Sequence, residues 1–309
     1  MVGVSNGTAS TPAYDTIVVG SGASGSIVAA ALAAAGQSVL ILEAGPRREL
    51  AELTSSQLFA RRLKWSGAPV EEEGNHTIGH GFNAGFGAGG SALHHYGVWP
   101  RLHSNDFDVL SKHGKNLDWP IGYEDLRPYY DAVQSDVGLS GDAEAEIWRP
   151  QGAPYPLPPL PVFKQGKVID RGFRAMGLST APIPMAINSI PNNGAPGCTY
   201  DGWCDAGCPI GALKNPLVTH LDRAQKLGVD IRYDAQVSRV LMSSDAQRVA
   251  KGVEYFDSHG AKHTVNAATV VIAAFAVQSV RILLNSQYAD GVAVGDRGAK
   301  LGRYLMTHP

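Results

Sequence analysis

Residues 14–45 read YDTIVVGSGASGSIVAAALAAAGQSVLILEAG and decide the fold of the chain. An apolar, β-branched run at the start predicts a strand that leads into a Gly-x-Gly-x-x-Gly turn at Gly20, Gly22 and Gly25. A small-residue stretch with helical spacing follows, and a second apolar run ends in Glu43. The stretch therefore predicts a strand–turn–helix–strand unit with an acid at its end.

This unit has the features of a dinucleotide-binding turn rather than of an accidental glycine pattern. In that geometry Gly20 permits the tight turn, Gly22 lets the backbone approach a pyrophosphate, and Gly25 lets the helix pack against the strand. The N-terminus of the helix contributes partial positive charge. Glu43 is placed to accept hydrogen bonds from a ribose, and its charge disfavours a 2′-phosphate at the same place.

Length and composition set the broad class of the protein. The chain has 309 residues, 44% of them hydrophobic, so it can bury a sizeable core and form more than one structural region. A net charge of −2 gives no electrostatic reason to expect nucleic acid as a partner. No apolar run reaches the about twenty residues that cross a bilayer, and the polar start lacks a signal core. We therefore expect a cytoplasmic protein with a disordered tail over residues 1–13 and no transmembrane segment.

Further segments indicate how the rest of the chain is organised. Residues 79–101 are rich in glycine but also in aromatic residues, which favours a loop wrapped around a cofactor over a flexible linker. Residues 123–138 predict a helix that ends near Gly138. The proline-rich residues 149–161 predict an extended strap. The last third returns to sheet and helix, with strands at 228–233, 235–242 and 249–257 and a strand–turn–helix unit at 268–286.

The order of these motifs resembles the N-terminal part of the glucose–methanol–choline flavin oxidoreductases, nearest to their sugar dehydrogenase and pyranose oxidase branches. The matching pieces are VVGSGASG with LILEAG, GAGGSALHHYGVWPR, DWPIGYEDLRPYY, AQVSRV, VVIAAFAVQSVRILLNS and LGRYLMTHP. The resemblance implies an α/β fold: a doubly wound, Rossmann-like FAD-binding domain built from residues 14–148 and 215–309. Residues 149–214 would form a strap and a segment that covers the flavin and begins the substrate domain.

The resemblance also implies a function. The chain is expected to be the flavin-binding part of an FAD-dependent enzyme that oxidises an alcohol group of a sugar or polyol, with dehydrogenase favoured over oxidase. In the family the base that takes the hydroxyl proton comes from a C-terminal segment beyond the length of this chain, so no catalytic residue is assigned here. His308 belongs to the LGRYLMTHP piece and is not proposed as that base.

Site residues carried over by position fall into four groups. His94 lies where family members keep a histidine against the flavin, either packed on it or covalently bonded to it. The residues implied to bind FAD are Gly20, Gly22, Ala23, Ser24 and Gly25 at the pyrophosphate, Glu43, Ala44 and, at its adenine, Val237 at the adenosine, Gly89, Gly90, Ser91 and His94 at the flavin, and Ala273 and Ala274, which close the pocket. Phe275 departs from the small residue that is often found at its position.

The three cysteines, Cys198, Cys204 and Cys208, all lie in GCTYDGWCDAGCPIGA. A disulfide would leave one thiol over, and zinc would need a fourth ligand such as Asp201, Asp205 or His220. Three thiolates in a glycine-rich loop suit an iron–sulfur cluster, and the spacing is similar to that of the three-iron cluster in bacterial membrane-associated glucose dehydrogenases of this family. Plain loop cysteines are the remaining alternative.

Two other functions stay open at this point. A nicotinamide-dependent dehydrogenase would share residues 20–43 but would not need the glycine-rich loop. A non-catalytic flavin-binding half would need a second polypeptide. The expected partners are a small sugar or alcohol substrate and, if the cysteines hold iron, an electron-acceptor subunit.

Overall fold

A computed structural model describes residues 13–64, 66, 71, 73, 75, 84–245, 247–296, 298–303 and 305. Three predictions lie wholly or mainly outside these residues: the disordered tail over residues 1–13, the start of the glycine-rich loop at residues 79–83, and His308. The six strands are β1 (Tyr14–Val19), β2 (Val39–Leu42), β3 (Asp230–Arg232), β4 (Gln236–Met242), β5 (Ala250–Phe256) and β6 (Lys262–Ile272).

All six strands form one sheet with the order β3-β2-β1-β6-β5-β4. Strands β3, β2, β1 and the C-terminal half of β6 run parallel, with Val18 paired to Ile41 on one side and to Val271 on the other. The N-terminal half of β6 pairs antiparallel with β5, which pairs antiparallel with β4. The sheet is thus a parallel Rossmann-like core with an antiparallel extension, because β6 is long enough to serve both.

Seven α-helices occur in the described residues: α1 (Ala23–Ala34), α2 (Gln57–Lys64), α3 (Val109–His113), α4 (Tyr123–Val137), α5 (Lys164–Ala175), α6 (His220–Lys226) and α7 (Ala276–Asn285). Helix α6 packs on α1, and α7 packs on β4. Short 3-10 turns lie at Leu50–Glu52, Gly90–Leu93, Ser104–Asp106, Cys204–Ala206 and Pro216–Val218. None of the described helices combines the length and the apolar character that crossing a bilayer requires.

The chain divides into two compact units. The first contains residues 1–49, 63–92 and 220–309, and with them the whole sheet. Its core lies between β1, β2, β4, β5 and β6, around the fully buried Ile17, Leu40 and Val253. The second contains residues 50–62 and 93–219, where the described β-structure is limited to isolated bridges such as Ile187 with Leu213. The predicted α/β class is confirmed, and the predicted division of the chain at residues 149 and 215 stays a prediction.

Candidate cofactor site and cysteine loop

The turn between β1 and α1 leaves no room for side chains at its first and last glycines. Gly20 has a φ of +98°, and a Cβ built on it would lie 2.6 Å from the Ala273 carbonyl oxygen. A Cβ on Gly25 would lie 2.0 Å from the Gly20 carbonyl oxygen. Both glycines are therefore required by the packing of the turn itself.

Gly22 differs from its two neighbours because the space beside it is open. A Cβ on Gly22 would meet only the Gly89 carbonyl oxygen, at 4.0 Å. Gly22 is the N-cap of α1, and no side chain of the described residues caps this helix. The first N–H groups of α1 therefore remain available for an anion, and Ala23 and Ser24 at this end are exposed.

The glycine-rich segment closes against this turn with its backbone. The Gly89 N–H donates to the Ser21 hydroxyl at 3.3 Å, and a Cβ on Gly90 would approach the Gly22 Cα to 3.3 Å. The Gly85 N–H donates to the Ser91 hydroxyl at 2.9 Å, which holds the segment in a compact turn. In its described part the predicted cofactor-wrapping loop therefore lies directly beside the turn between β1 and α1.

Glu43 joins the two glycine segments. Its Oε2 accepts hydrogen bonds from the Ser21 N–H at 2.9 Å and from the Ser21 hydroxyl at 2.6 Å. Its Oε1 accepts from the Gly45 N–H at 3.0 Å and from the Gly87 N–H at 3.2 Å. These four donors use the roughly four lone-pair directions of a carboxylate. Glu43 thus connects the turn to the glycine-rich segment through hydrogen bonds. Its predicted contact with a ribose stays a prediction.

The remaining first-unit candidates line the same region of the sheet. Val237 is buried in β4 and packs into the core, while the Ala273 N–H donates to the Val19 carbonyl oxygen at 2.9 Å. Ala44 and Ala274 are partly buried. Phe275, the N-cap of α7, has a φ of +68° and a ψ of 154°, a backbone conformation that suits glycine. This conformation explains in physical terms why a small residue is expected at that position.

His94 and its neighbour His95 fall in the second unit. His94 is buried, and its predicted contact with the flavin stays a prediction. No sequence pattern singled out His95. Its Nδ1 accepts from the Gly97 N–H at 3.2 Å, so that its Nε2 donates to the Lys214 carbonyl oxygen at 2.8 Å. Burial lowers the pKa of His95, which keeps the ring neutral. His95 therefore links its own loop by a hydrogen bond to Lys214, a few residues after the last cysteine.

The three cysteines are free, half-buried and face one cavity. Cys198, Cys204 and Cys208 line a space of about 50 Å³ together with Asp201 and Trp203. Burial, and then the charges of Cys198 and Cys208, raise the pKa of the Cys204 thiol. No disulfide joins any two of them in the structure. Within the described residues, however, no three His, Cys, Asp or Glu side chains are arranged so that they could hold a metal ion.

A buried cation lies near these thiols. Lys214 is only 3% exposed, and no carboxylate in the described part of the chain forms an ion pair with it. Burial lowers the pKa of Lys214, and the charge of Cys208 acts in the opposite direction. The cysteine loop is therefore built next to a positive charge that thiolates could compensate.

Comparison with known proteins places this geometry in a family. The family model described as GMC oxidoreductase matches residues 14–309. The fructose dehydrogenase large subunit of Gluconobacter japonicus is 29% identical over 96% of this chain and 58% of its own length. The 2-methyl-1,2-propanediol dehydrogenase of Mycolicibacterium austroafricanum is 31% identical over 97% of this chain and 56% of its own length.

A solved structure shares the fold. The FAD-dependent oxidoreductase from Chaetomium thermophilum superimposes with a TM-score of 0.61 at 20% identity, covering 88% of this chain and 47% of that one. The chain thus spans about half the length of the proteins that it matches. With the family model matched from the first strand of the sheet to the last residue, the chain belongs to the GMC oxidoreductase family.

Proposed function

We propose that this chain is the flavin-binding part of an FAD-dependent dehydrogenase that oxidises an alcohol group of a sugar or polyol. The observation that carries the proposal is the open N-terminus of α1 at Gly22, with the backbone of Gly89 and Gly90 on its other side. The exposed first turn of α1 offers backbone N–H groups and the positive end of a helix dipole, which suit the charge of a diphosphate. The fit agrees with FAD, the cofactor of the family.

In such an enzyme the protein supplies binding and orientation, while FAD supplies the acceptor for a hydride. The N–H groups at the start of α1 hold the diphosphate. Glu43 fixes Ser21, Gly45 and Gly87, so that the turn and the glycine segment keep their spacing. These hydrogen bonds hold the turn in one defined arrangement, and such preorganisation favours cofactor binding.

The substrate class rests on the relatives. One is named for a ketose sugar and the other for a branched diol, and both names state dehydrogenase activity on an alcohol. The two share a hydroxyl-bearing carbon as the reacting centre. A sugar or polyol is therefore the class to test first, with a dye as electron acceptor.

The first experiment separates FAD from a nicotinamide cofactor. The purified chain is expected to show flavin absorbance near 450 nm, and release of the cofactor by heat or acid should give FAD. Protein without flavin that binds NAD would overturn the proposal. Acid precipitation of the same sample also distinguishes a flavin bonded to His94, which stays with the protein, from one that only packs on it.

The cysteine loop supports a second part of the proposal, a three-iron iron–sulfur cluster held by Cys198, Cys204 and Cys208. Three free thiols already share one cavity, and the neighbouring Lys214 offsets the negative charge that bound thiolates bring. The thiols would have to turn towards one another to serve as ligands, because they do not form a metal-binding group as they stand. An iron–sulfur cluster exchanges single electrons, which favours an electron-acceptor subunit over oxygen.

Anaerobic purification followed by iron and sulfide analysis tests this part. We expect iron and sulfide in the wild-type protein, and Cys204→Ser should remove both while FAD content is unchanged, since Cys204 and the Gly20 turn lie in different units. Lys214→Gln should lower the reduction potential of the cluster relative to wild type, and Lys214→Arg should restore it. Wild-type protein without iron under these conditions would make the cysteines ordinary loop residues and return an oxidase to consideration.

A further inference from the structure

One peptide bond of the glycine-rich segment, between Phe86 and Gly87, is held by an acidic and a basic side chain. Its N–H, on Gly87, donates to the Glu43 Oε1 at 3.2 Å. Its carbonyl oxygen, on Phe86, accepts from the Arg48 Nη2 at 3.1 Å. The N–H and C=O of a trans peptide point in opposite directions, so the carboxylate and the guanidinium hold this bond from its two edges. Hydrogen bonds to charged groups are stronger than those between neutral groups.

Both side chains come from the short stretch of chain that follows β2, and the backbone of that stretch packs on the same peptide. A Cβ built on Gly45 would lie 2.3 Å from the Gly87 nitrogen and 2.6 Å from the Phe86 carbonyl carbon. The Ala88 N–H donates to the Pro46 carbonyl oxygen at 3.0 Å. Residues 43–48 and 84–92 belong to the same compact unit. The end of β2 thus surrounds the peptide between Phe86 and Gly87.

Arg48 also covers the residue that follows its hydrogen bond. Gly87 has a φ of +123°, and a Cβ built on it would lie 2.8 Å from the Arg48 Nε. Arg48 is half-buried, whereas the side chain of the neighbouring Arg47 is 67% exposed and pairs with Glu49. The contact of Arg48 with the glycine-rich segment therefore distinguishes it from an arginine on the surface.

The fixed peptide lies just before the two residues that meet the turn between β1 and α1. The Gly89 N–H donates to the Ser21 hydroxyl, and a Cβ on Gly90 would approach the Gly22 Cα to 3.3 Å. Gly89 and Gly90 have φ values of +86° and +55°. Glycine has more backbone freedom than any other residue, so the place of these two depends on what holds the chain beside them.

We propose that Arg48 is a positioning residue for FAD binding, which acts through the Phe86 carbonyl to keep the glycine-rich segment at the N-terminus of α1. The inference rests on the proposed function and adds a residue to that same site. It requires no contact between Arg48 and the cofactor. Glu43 and Arg48 then act as a pair, because each holds one edge of the same peptide.

The FAD affinity of the 309-residue chain tests the role of Arg48, with FAD titrated into the FAD-free protein and flavin fluorescence as the signal. Arg48→Met keeps an unbranched side chain without a donor. It should weaken binding about tenfold or more, the worth of a hydrogen bond from a charged donor, mainly through faster dissociation. Arg48→Lys keeps a charged donor and should stay within about threefold of wild type. Arg47→Met is the matched control and should leave the affinity unchanged.

Hydrogen exchange of the FAD-free protein separates positioning from a general loss of stability. Arg48→Met should speed exchange in peptides that cover residues 84–92. Peptides from β5, in the core of the same unit, should exchange as in wild type, because local opening of a loop does not require the core to open. Equal acceleration in both regions, or none in residues 84–92, would overturn the proposal.

A double variant tests whether Glu43 and Arg48 act on the same peptide. Residues that share a partner give non-additive effects, so Glu43→Gln combined with Arg48→Met should weaken FAD binding by less than the product of the two single factors. A full product would contradict the proposal. Wild-type protein that binds no FAD would refute the proposed function itself, whereas wild type and Arg48→Met that bind FAD equally would overturn this inference alone.

Discussion

At the scale of single residues, the three glycines of the motif are explained by two different causes. Two of them leave no room for a side chain within the protein, and at the third we expect a ligand to need the space. Gly20 and Gly25 are excluded from substitution by contacts within the protein, while Gly22 borders open space. The sequence pattern predicts all three glycines together, because it shows only that a side chain is absent at each. The distance from a built Cβ to its nearest atoms is what separates Gly22 from the other two.

Phe275 holds a strained backbone conformation, with a φ of +68°. Such strain costs roughly 1–3 kcal/mol in a residue with a Cβ, and glycine avoids it at the expense of some chain entropy. We therefore expect Phe275→Gly to raise the free energy of unfolding by about 1 kcal/mol. Urea unfolding measures the change, and Phe275→Ala, which keeps a Cβ, is the control. Equal stability of the glycine and alanine variants would show that the backbone is not strained there.

Glu43 should stabilise the turn even without a cofactor. Glutamine in its place would set an NH₂ group against N–H donors that the carboxylate now accepts, so we expect Glu43→Gln to lower the free energy of unfolding by about 2–3 kcal/mol in FAD-free protein. The exposed Glu124→Gln on α4, which removes a surface ion pair with Arg127, should change it by less than about 1 kcal/mol. A variant that loses only FAD affinity, with the stability of the FAD-free protein intact, would assign Glu43 to the ribose instead.

At the scale of elements, hydrogen bonds to side chains fasten the proline-rich strap. The Arg149 guanidinium donates to the Ala153 carbonyl oxygen at 2.6 Å, and the Tyr155 hydroxyl donates to Glu146 at 2.8 Å. Buried Arg101 donates to Asp131 at 2.6 Å, and Asp131 accepts from the Ala153 N–H at 2.8 Å. The strap is therefore an ordered part of the second unit, held because proline leaves few backbone donors of its own.

This attachment gives stability a dependence on alkaline pH. Burial, and then the hydrogen bond to Glu146, raise the pKa of Tyr155 to about 12. Since the folded value lies above the unfolded value of about 10, the stabilisation is complete below pH 10 and is lost as the pH rises towards 12. Urea midpoints measured from pH 8 to 11 should fall more steeply for wild type than for Tyr155→Phe. Parallel curves would mean that the Tyr155 hydroxyl is not held in this way.

The sequence predicted the elements whose hydrophobic pattern is local. Strand β1, helix α1 and strand β2 follow from one stretch, and α4 ends at Gly138 with a φ of +79°, as the glycine there predicts. Helix α5 was not predicted, because no element was assigned between the proline-rich strap at residues 149–161 and the cysteines. The antiparallel use of β6 was also missed, since one uninterrupted strand can pair with two partners only when the tertiary fold brings both to it.

The candidate site was predictable where backbone geometry determines the residue type. The glycines and Glu43 fall in this class. The contacts of His95 and the burial of Lys214 do not fall in this class. Lysine is normally exposed, and only the packing of segments distant in sequence buries Lys214 and places His95 against its carbonyl oxygen. Carry-over by position proposed His94, which lies in the second unit, and its contact with a flavin stays a prediction.

At the scale of the whole molecule, the sheet and the glycine turn lie in one of the two compact units, and helix α5 lies in the other. The relatives that it matches are nearly twice as long as the matched portion. Binding of the cofactor and turnover of the substrate should therefore be separable properties of this polypeptide.

We expect the 309-residue chain by itself to bind FAD but not to turn over sugars at an enzymatic rate. The chain spans about half the length of the relatives that it matches, and lack of a general base would typically cost roughly a hundred- to ten-thousand-fold in rate. Reduction of a redox dye by a panel of sugars and polyols measures this, with the native assembly as the positive control. Robust oxidation by the isolated chain would show that its own residues supply the base.

The central claim is that FAD binds at the turn between β1 and α1, and the flavin content of a Gly22 variant tests it most directly. Gly22→Val adds a side chain where the structure leaves room for the diphosphate, while Gly172→Ala on α5 adds one to open solvent as the control. The measurement is the ratio of flavin to protein absorbance after purification and FAD saturation, with circular dichroism to confirm folding. The account predicts near-stoichiometric FAD in wild type and in Gly172→Ala, and at least a tenfold loss in a folded Gly22→Val. Full flavin content in Gly22→Val would contradict it.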